Sequence, residues 1–546
     1  MPPPETVPFP AMSLPFPEYD SLDGLALAAL IRTKEISTSE VVHAALARIR
    51  ARNPALNAVV RVLEQQALSQ AAAQRTDAPT DAPFFGVPIL IKDLQATIAG
   101  VPTSHGTRVL QAVVPPSDSE LVARYRRAGA VFVGKTNTPE FGLTPFTESE
   151  ALGVARNPWD STRTTGGSSG GSGAAVAARM VPIAHGGDGG GSLRIPASCN
   201  GVFGLKPTRG RMPTGPLLGD IWRGFAQEHV ITRSVRDSAA MMDCSAGEDP
   251  GTPVACPAQA RPFLDEVTTE PGRLRIAMTA TPFFGNHVHA DCRAALADAA
   301  ALLESLGHDV VEAAPPIDGA ALARSFLTVV AAECRADIEW LGAQLERAPR
   351  RDDVEVATWA LGVLGRHFRA SDYAVAVRAL QVAGRTIGQF MTQYDALITP
   401  TLADPPFVIG SMQPTSVERT ALSVLGALGL GSVIGSGRLL NDMVDKAFGF
   451  IPYTPIFNVT GQPAMSVPLY WNADGLPIGT HVVGRFGDEA TLFRIAGQLE
   501  RARPWAGRVP PGMAAADRAP LPTHDMGKPR VDVADRSALR DAMEGG

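Results

Sequence analysis

Apolar residues along this chain fall into short unbroken runs and stripes at helical spacing, and the two rhythms alternate. Val42, Ala45, Leu46 and Ile49 share one helical face. Ser37-Thr38-Ser39-Glu40 opens that helix as a capping box, and Asn53-Pro54 closes it. The run Gly86-Val-Pro-Ile-Leu-Ile-Lys-Asp93 predicts a buried strand with a lysine at its C-terminal end. A second capping box, Ser117 with Glu120, starts a helix over 120–128 that Gly129 stops, and residues 130–134 read as another apolar strand. Strand, helix and strand in this order predict a βαβ unit and an α/β fold with a parallel or mixed sheet. The order returns as a strand over 274–278, a helix over 290–306 ended by Gly307, and a strand over 309–312. A long helical stretch over 373–394 then leads into an apolar strand at 395–399.

Composition narrows the class. The 546 residues include 53 glycines and 46 prolines, which favours tight turns and close backbone approaches. Aromatics make up only 6%, so the core is expected to be built from Ala, Val and Leu. A net charge of −6 and no dense Lys/Arg tract argue against a nucleic-acid partner. Cys199, Cys244, Cys256, Cys292 and Cys334 form no CxxC pair and no metal-ligand spacing. A reduced, cytoplasmic compartment without a structural metal is the expectation.

Residues 1–18 are Pro-rich, lack both a basic start and an apolar run, and read as a surface arm, not a signal peptide. Residues 507–546 read as a polar tail, which leaves 19–506 as the folded body. One stretch tests the soluble reading. Thr420 to Gly437 is uncharged and long enough for a span, yet five glycines with Ser and Thr dilute it. A buried or pocket-lining segment is expected there, and no stable membrane insertion.

Chemistry concentrates in residues 163–211. Gly166-Gly167-Ser168-Ser169-Gly170-Gly171-Ser172-Gly173 leads into a small-residue helix over 174–180 and a short strand over 181–184. Gly186-Gly187-Asp188-Gly189-Gly190-Gly191-Ser192-Leu193-Arg194-Ile195-Pro196 follows. Two Gly/Ser-rich turns joined by a helix–strand hairpin can bring their tips together. Glycine lets backbone amides approach a ligand, and several amides ahead of a serine suit an oxyanion hole. A phosphate loop fails, because no GxxxxGK[ST] is present. A GxSxG elbow at Gly166–Gly170 fails as well: it should follow a strand, whereas Trp159–Thr165 is polar, and no later histidine has a telling context.

Both turns, at this spacing, resemble the hallmark of the amidase signature family. Gly134-Lys135-Thr136-Asn137-Thr138-Pro139-Glu140-Phe141-Gly142 and Asn157-Pro158-Trp159 look like further landmarks of it. So do Asn458-Val459-Thr460-Gly461-Gln462-Pro463-Ala464 and Gly475-Leu476-Pro477-Ile478-Gly479. Neighbouring stretches resemble its 6-aminohexanoate cyclic-dimer hydrolase branch. Gly187 and Gly189 depart from the larger residues of many members, and Thr165 from a frequent proline.

The resemblance implies a single large α/β domain, with a central mixed sheet covered by helices on both faces. Its signature core would span about 84–240, and its variable, substrate-determining region about 273–451. It implies Ser192 as nucleophile, Ser168 as bridging serine after a cis peptide, and Lys92 as base. The amides of Gly189, Gly190, Gly191 and Ser192 would form the oxyanion hole, with Gly167, Ser169, Asp188 and Arg194 in support. Asp188 and Arg194 are expected to brace the Gly-rich loop, and Ser169 and Ser172 to tie down the turn. No role is required of His185 or Cys334. A lysine acts as base only when neutral, and the apolar run before Lys92 supplies the burial this demands. The expected reaction is cleavage of small neutral or hydrophobic linear or cyclic amides through an acyl-enzyme, without cofactor, in a possible homodimer. The rival readings are the glutamine-hydrolysing A subunit of a tRNA-dependent amidotransferase and a carbamate or ester hydrolase. A non-catalytic binding protein is disfavoured by the intact Lys92, Ser168 and Ser192.

Overall fold

In the computed structural model, which describes residues 14–74, 81–285, 287–431, 433 and 445–513, the apolar runs become strands of one eleven-stranded sheet. Its first half uses β1 (Val59–Val62), β2 (Pro88–Lys92), β3 (Val131–Thr136), β6 (Ile183–Asp188), β7 (Phe203–Lys206) and β8 (Gln227–Thr232). A two-residue pair, β4 (Glu148–Ser149) with β5 (Gly153–Val154), stands apart. The second half uses β9 (Arg275–Met278), β10 (Asp309–Glu312), β11 (Ala396–Pro400), β12 (Ala464–Trp471) and β13 (Pro477–Gly484). Spatial order is β1-β3-β2-β6-β8-β7-β12-β13-β11-β9-β10. The sheet is mixed: β3, β2 and β6 run parallel, as do β11, β9 and β10, while the strands between them pair antiparallel. Both βαβ units read from the sequence are present, β2 and β3 around the helix Glu120–Arg127 and β9 and β10 around Ala290–Ser305.

Every residue of β2, β3, β6, β7 and β8 is buried, the pattern of strands covered on both faces. One cluster, which includes Leu27, Val42, Leu46, Ile89, Val131 and Val176, packs around the parallel group. A second, with Phe326, Leu380, Phe457 and Val483, and a third, with Leu205, Ile398, Met465 and Phe493, pack the other half.

Local details correct the sequence reading at several points. The Ser37–Glu40 capping box forms as read. Its helix, however, runs past Asn53-Pro54 to Leu56, where Asn57 caps it in the left-handed conformation. Proline removes only its own N–H bond, which one late turn tolerates. The helix after β2 is capped by Ser119 and not by Ser117, whose carbonyl instead accepts from Thr97 Oγ1. The helix read over 174–180 begins four residues earlier, at Gly170–Ala177, and the strand after it is Ile183–Asp188.

Of the uncharged stretch 420–437, the described part continues the helix Ser416–Ala427. Leu422 and Gly426 are buried, but Val424 and Leu428 are more than half exposed, so the expected burial holds for one face only. Residues 432 and 434–437 lie outside the described residues. No described helix is long and apolar enough to cross a membrane. Most of the expected surface arm and tail also lie outside the described residues. Tyr19, the first residue of the expected folded body, is fully buried with its hydroxyl on the Met180 carbonyl, and Met513 of the expected tail packs into the first core cluster.

Candidate active site

Lys92 ends β2, which is flanked on both sides by the parallel strands β3 and β6. Its side chain is 1% exposed, and Nζ lies 2.7 Å from Ser168 Oγ. Burial pushes its pKa down to about 7, against the opposing fields of Glu228 and Asp188. Lys135 and Lys206 are equally buried but end on carbonyl or threonine oxygens: Lys135 on Ala96 O and Thr103 Oγ1, Lys206 on Pro207 O. Proximity to a serine hydroxyl, not burial, sets Lys92 apart.

Ser168 follows a cis peptide bond from Gly167. A Cβ on Gly167 would fall 2.5 to 2.7 Å from the Phe146 backbone, so only glycine fits. Ser169 Oγ donates to the Gly187 carbonyl and Ser172 Oγ to the His185 carbonyl, which stitches the first serine turn to β6. Gly142 closes on the turn from another side: a Cβ there would lie 3.1 Å from Ser168 Oγ.

The second Gly-rich turn hangs on one ion pair. Asp188 and Arg194 are both 0% exposed and meet at 2.9 Å. Burial alone would raise the Asp188 pKa, but Arg194 beside it holds the carboxyl far below the usual range. Asp188 also accepts from the amides of Gly191, at 2.7 Å, and Leu193, at 3.1 Å. This bond distinguishes one of the four amides expected in the oxyanion hole. The Gly191 amide is already committed to Asp188, whereas those of Gly189, Gly190 and Ser192 donate to no acceptor among the described residues.

Ser192 and Gly190 line a cavity of about 240 Å³. Phe326, Val330, Leu361, Met412, Phe448 and Ile451 give it an apolar wall. Glu140, Glu148, Glu355 and Glu418 also line it, with Lys446 as the one lining cation among the described residues. Burial and the neighbouring Glu355 push Glu140 up to about 8, and burial raises Glu148 and Glu355 too.

A family model for Amidase matches residues 40–493. The chain belongs to the amidase signature family. It is an amide hydrolase, 38% identical over 500 residues to the 6-aminohexanoate-cyclic-dimer hydrolase of Pseudomonas sp. (strain NK87), covering 89% of this chain and 96% of that one. It is also 36% identical to the putative amidase AmiC of Mycobacterium tuberculosis (strain ATCC 25618 / H37Rv), with 90% and 97% covered. A solved 6-aminohexanoate cyclic dimer hydrolase complexed with substrate superposes with a TM-score of 0.81 at 36% identity, over 90% of this chain and 99% of that one. A bacterial aryl acylamidase gives 0.78 at 25% identity, over 89% and 97%.

In this amidase the structure brings Lys92 and Ser168 into contact and sets Ser192 in the adjoining cavity wall. Cys334 lies outside that wall; it is buried in the helix Gly319–Gln344, with its thiol pushed well up by burial. Three residues that sequence reasoning missed complete the loop's support. Asn458 donates to the Asp188 carbonyl and carboxylate and accepts from Arg194 at 2.5 Å. Thr454 receives Arg194 on its carbonyl and donates through Oγ1 to Gly190 O. His481 meets Arg194 Nη1 at 3.0 Å. Asn458 stood in a recognised landmark, which was its only signal; Thr454 and His481 lie more than 250 residues from the loop they hold.

Proposed function

We propose that this amidase cleaves small neutral or apolar amides through an acyl-enzyme on Ser192, with Ser168 and Lys92 as its proton relay. The observation that carries this reading is the 2.7 Å contact between Lys92 Nζ and Ser168 Oγ, buried next to a cavity that Ser192 lines. A neutral lysine amine has a lone pair and accepts the Ser168 proton, while Ser168 takes the proton of Ser192 as its oxygen attacks the amide carbon. The negative charge that develops on the carbonyl oxygen meets the amides of Gly189, Gly190 and Ser192. Each such donor is worth about 2.7–4 kcal/mol. The relay then returns its proton to the departing amine. Water enters by the reverse sequence and releases the acid.

The cavity wall supports the substrate class. Apolar side chains favour hydrocarbon stretches, and with Lys446 as the one lining cation among the described residues the acidic lining offers a substrate carboxylate little counter-charge. Glutamine carries such a carboxylate, which weighs against the amidotransferase reading. The relatives named for a cyclic dimer and for aryl acylamides fit the same wall. Esters and carbamates that fit this cavity are expected to react as side substrates through the same acyl chemistry.

Purified enzyme is expected to hydrolyse linear, cyclic and aryl amides, and to be labelled at Ser192 by a fluorophosphonate. Undiminished turnover by Ser192→Ala would end the nucleophile assignment.

A further inference from the structure

Beside Lys92 lies a buried polar chain that the relay does not use. The Lys92 backbone N–H points at His185 Nδ1, 3.4 Å away on β6. With Nδ1 as acceptor, the neutral ring carries its proton on Nε2. Nε2 in turn sits 3.4 Å from Glu228 Oε1 on β8, and neither atom has a hydrogen-bond partner among the described residues. Glu228 is 5% exposed and lies opposite Gly187 in the β6–β8 ladder. A Cβ at Gly187 would stand 3.7 Å from Glu228 Cγ and from Gln95 Oε1, so the absent side chain leaves room for this carboxylate beside the strand of the relay.

The other acids near Lys92 already have partners, and the remaining titratable neighbours are uncharged or paired elsewhere. From β6, Asp188 is held by Arg194 and Asn458. From β3, Lys135 stands 3.7 Å from Asp93, which follows β2. From the helix Glu120–Arg127, Tyr125 faces the His185 ring at 6.1 Å with its hydroxyl unpartnered. His105 lies with the Asp93 and Lys135 pair, and His229 on β8 is turned to Ser238 Oγ. Glu228 is therefore the one acid of this surround, among the described residues, with no cation or backbone donor of its own beyond the His185 contact.

We propose that Glu228 is a positioning residue for the relay, a buried carboxylate that with His185 holds the Lys92 segment and sets the pH at which Lys92 begins to act as base. This rests on Lys92 being that base. The sign follows from charge alone. A carboxylate stabilises the ammonium form of a nearby lysine, and its removal makes the amine easier to deprotonate. Among the fields at Lys92, that of Glu228 is the largest opposing burial.

The test is kcat/KM against pH on one neutral amide for the wild type, Glu228→Gln and Glu228→Asp. The expected result for Glu228→Gln is an acidic limb displaced downward by about half a unit to one unit, a gain of about three- to tenfold in relative rate below the limb. Glu228→Asp, which keeps the charge, is expected to restore most of the wild-type profile. An unmoved or upward-displaced limb overturns the proposal. Should Glu228→Gln fail to fold, the ¹³Cε resonance of Lys92, titrated in Ser192→Ala with and without the charge-removing Glu228→Ala, gives the same comparison. An identical midpoint in both proteins overturns it. Full activity in Lys92→Ala would instead remove the base assignment itself, so the two failures are separable.

Discussion

Arg194 grips Asp188 with two hydrogen bonds of 2.9 Å, one from Nε and one from Nη2, in a place that no solvent reaches. This bidentate pair is the fixed point from which the glycine-rich turn is suspended. Removing one partner strands the other charge in the interior and frees the Gly191 and Leu193 amides. Asp188→Ala is therefore expected to cost about 3–5 kcal/mol. Thermal unfolding should report the loss, and turnover should fall even at temperatures where the variant stays folded.

Lys92 sets function against stability. Its folded pKa, about 7, lies below the unfolded value of 10.5, so the unfolded chain binds the extra proton across that interval and stability rises with pH through it. The penalty is complete below about 7 and gone above 10.5. Lys92→Met should remove it. That variant is expected to melt higher than the wild type near neutral pH, with the gap closing in alkali, while activity drops by about 10²- to 10⁴-fold. Melting curves across pH and an amide assay check the two halves.

In the wild type, kcat/KM is expected to climb with pH through about 7 as the Lys92 ammonium gives up its proton. A profile flat from mildly acidic to alkaline pH would contradict a lysine base.

Glu140 behaves in the opposite sense. Its folded pKa of about 8 exceeds the ordinary 4.5, through burial first and then Glu355, so the folded protein holds a proton that the unfolded chain has released. Stability contributed by this group is present below about 4.5 and lost as pH rises to about 8. Glu140→Gln keeps an acceptor for the Glu355 amide, at 2.7 Å in the wild type, and removes the titration. The variant is expected to overtake the wild type in melting temperature as pH rises across that window. Parallel curves would refute the assignment.

Gly142 offers a geometric test. Its φ of +69° already disfavours a side chain, and an added Cβ would come within 2.9 Å of Leu94 and 3.1 Å of Ser168 Oγ. Gly142→Ala should displace the Ser168 hydroxyl, and misplacement of a catalytic group on the ångström scale costs up to about a hundredfold in rate. A kcat loss with little change in KM would mark the relay as its target.

Much of the architecture was legible because β2, β3, β9, β10 and β11 are short apolar runs joined to helices by the usual punctuation. The antiparallel centre was harder to read. β6 and β8 carry His185, Asp188, Gln227, Glu228 and His229 within the sheet, polar residues that satisfy no simple alternation. Residues 170–173 looked like a loop by composition, yet tertiary packing draws those glycines into a helix. Lys92, Ser168 and Ser192 stood out through the two glycine-rich turns. The bond from the Gly191 amide to Asp188, by contrast, was not legible, because composition cannot say which of four neighbouring amides a carboxylate has claimed. The partners of Arg194 at residues 454, 458 and 481 are brought in only by the long-range order of the sheet.

The reactive edge and the far side of the cavity belong to different scaffolds. The proposed relay hangs from the sheet, whereas Phe326, Val330, Leu361 and Leu422 come from the helices Gly319–Gln344, Val356–His367 and Ser416–Ala427. Ala331, Ala360, Val363, Leu364 and Leu422 give those helices a small core of their own. Substrate taste can thus be retailored in the helical shell, by drift or by engineering, while the sheet-borne Lys92 and the two serine turns stay untouched.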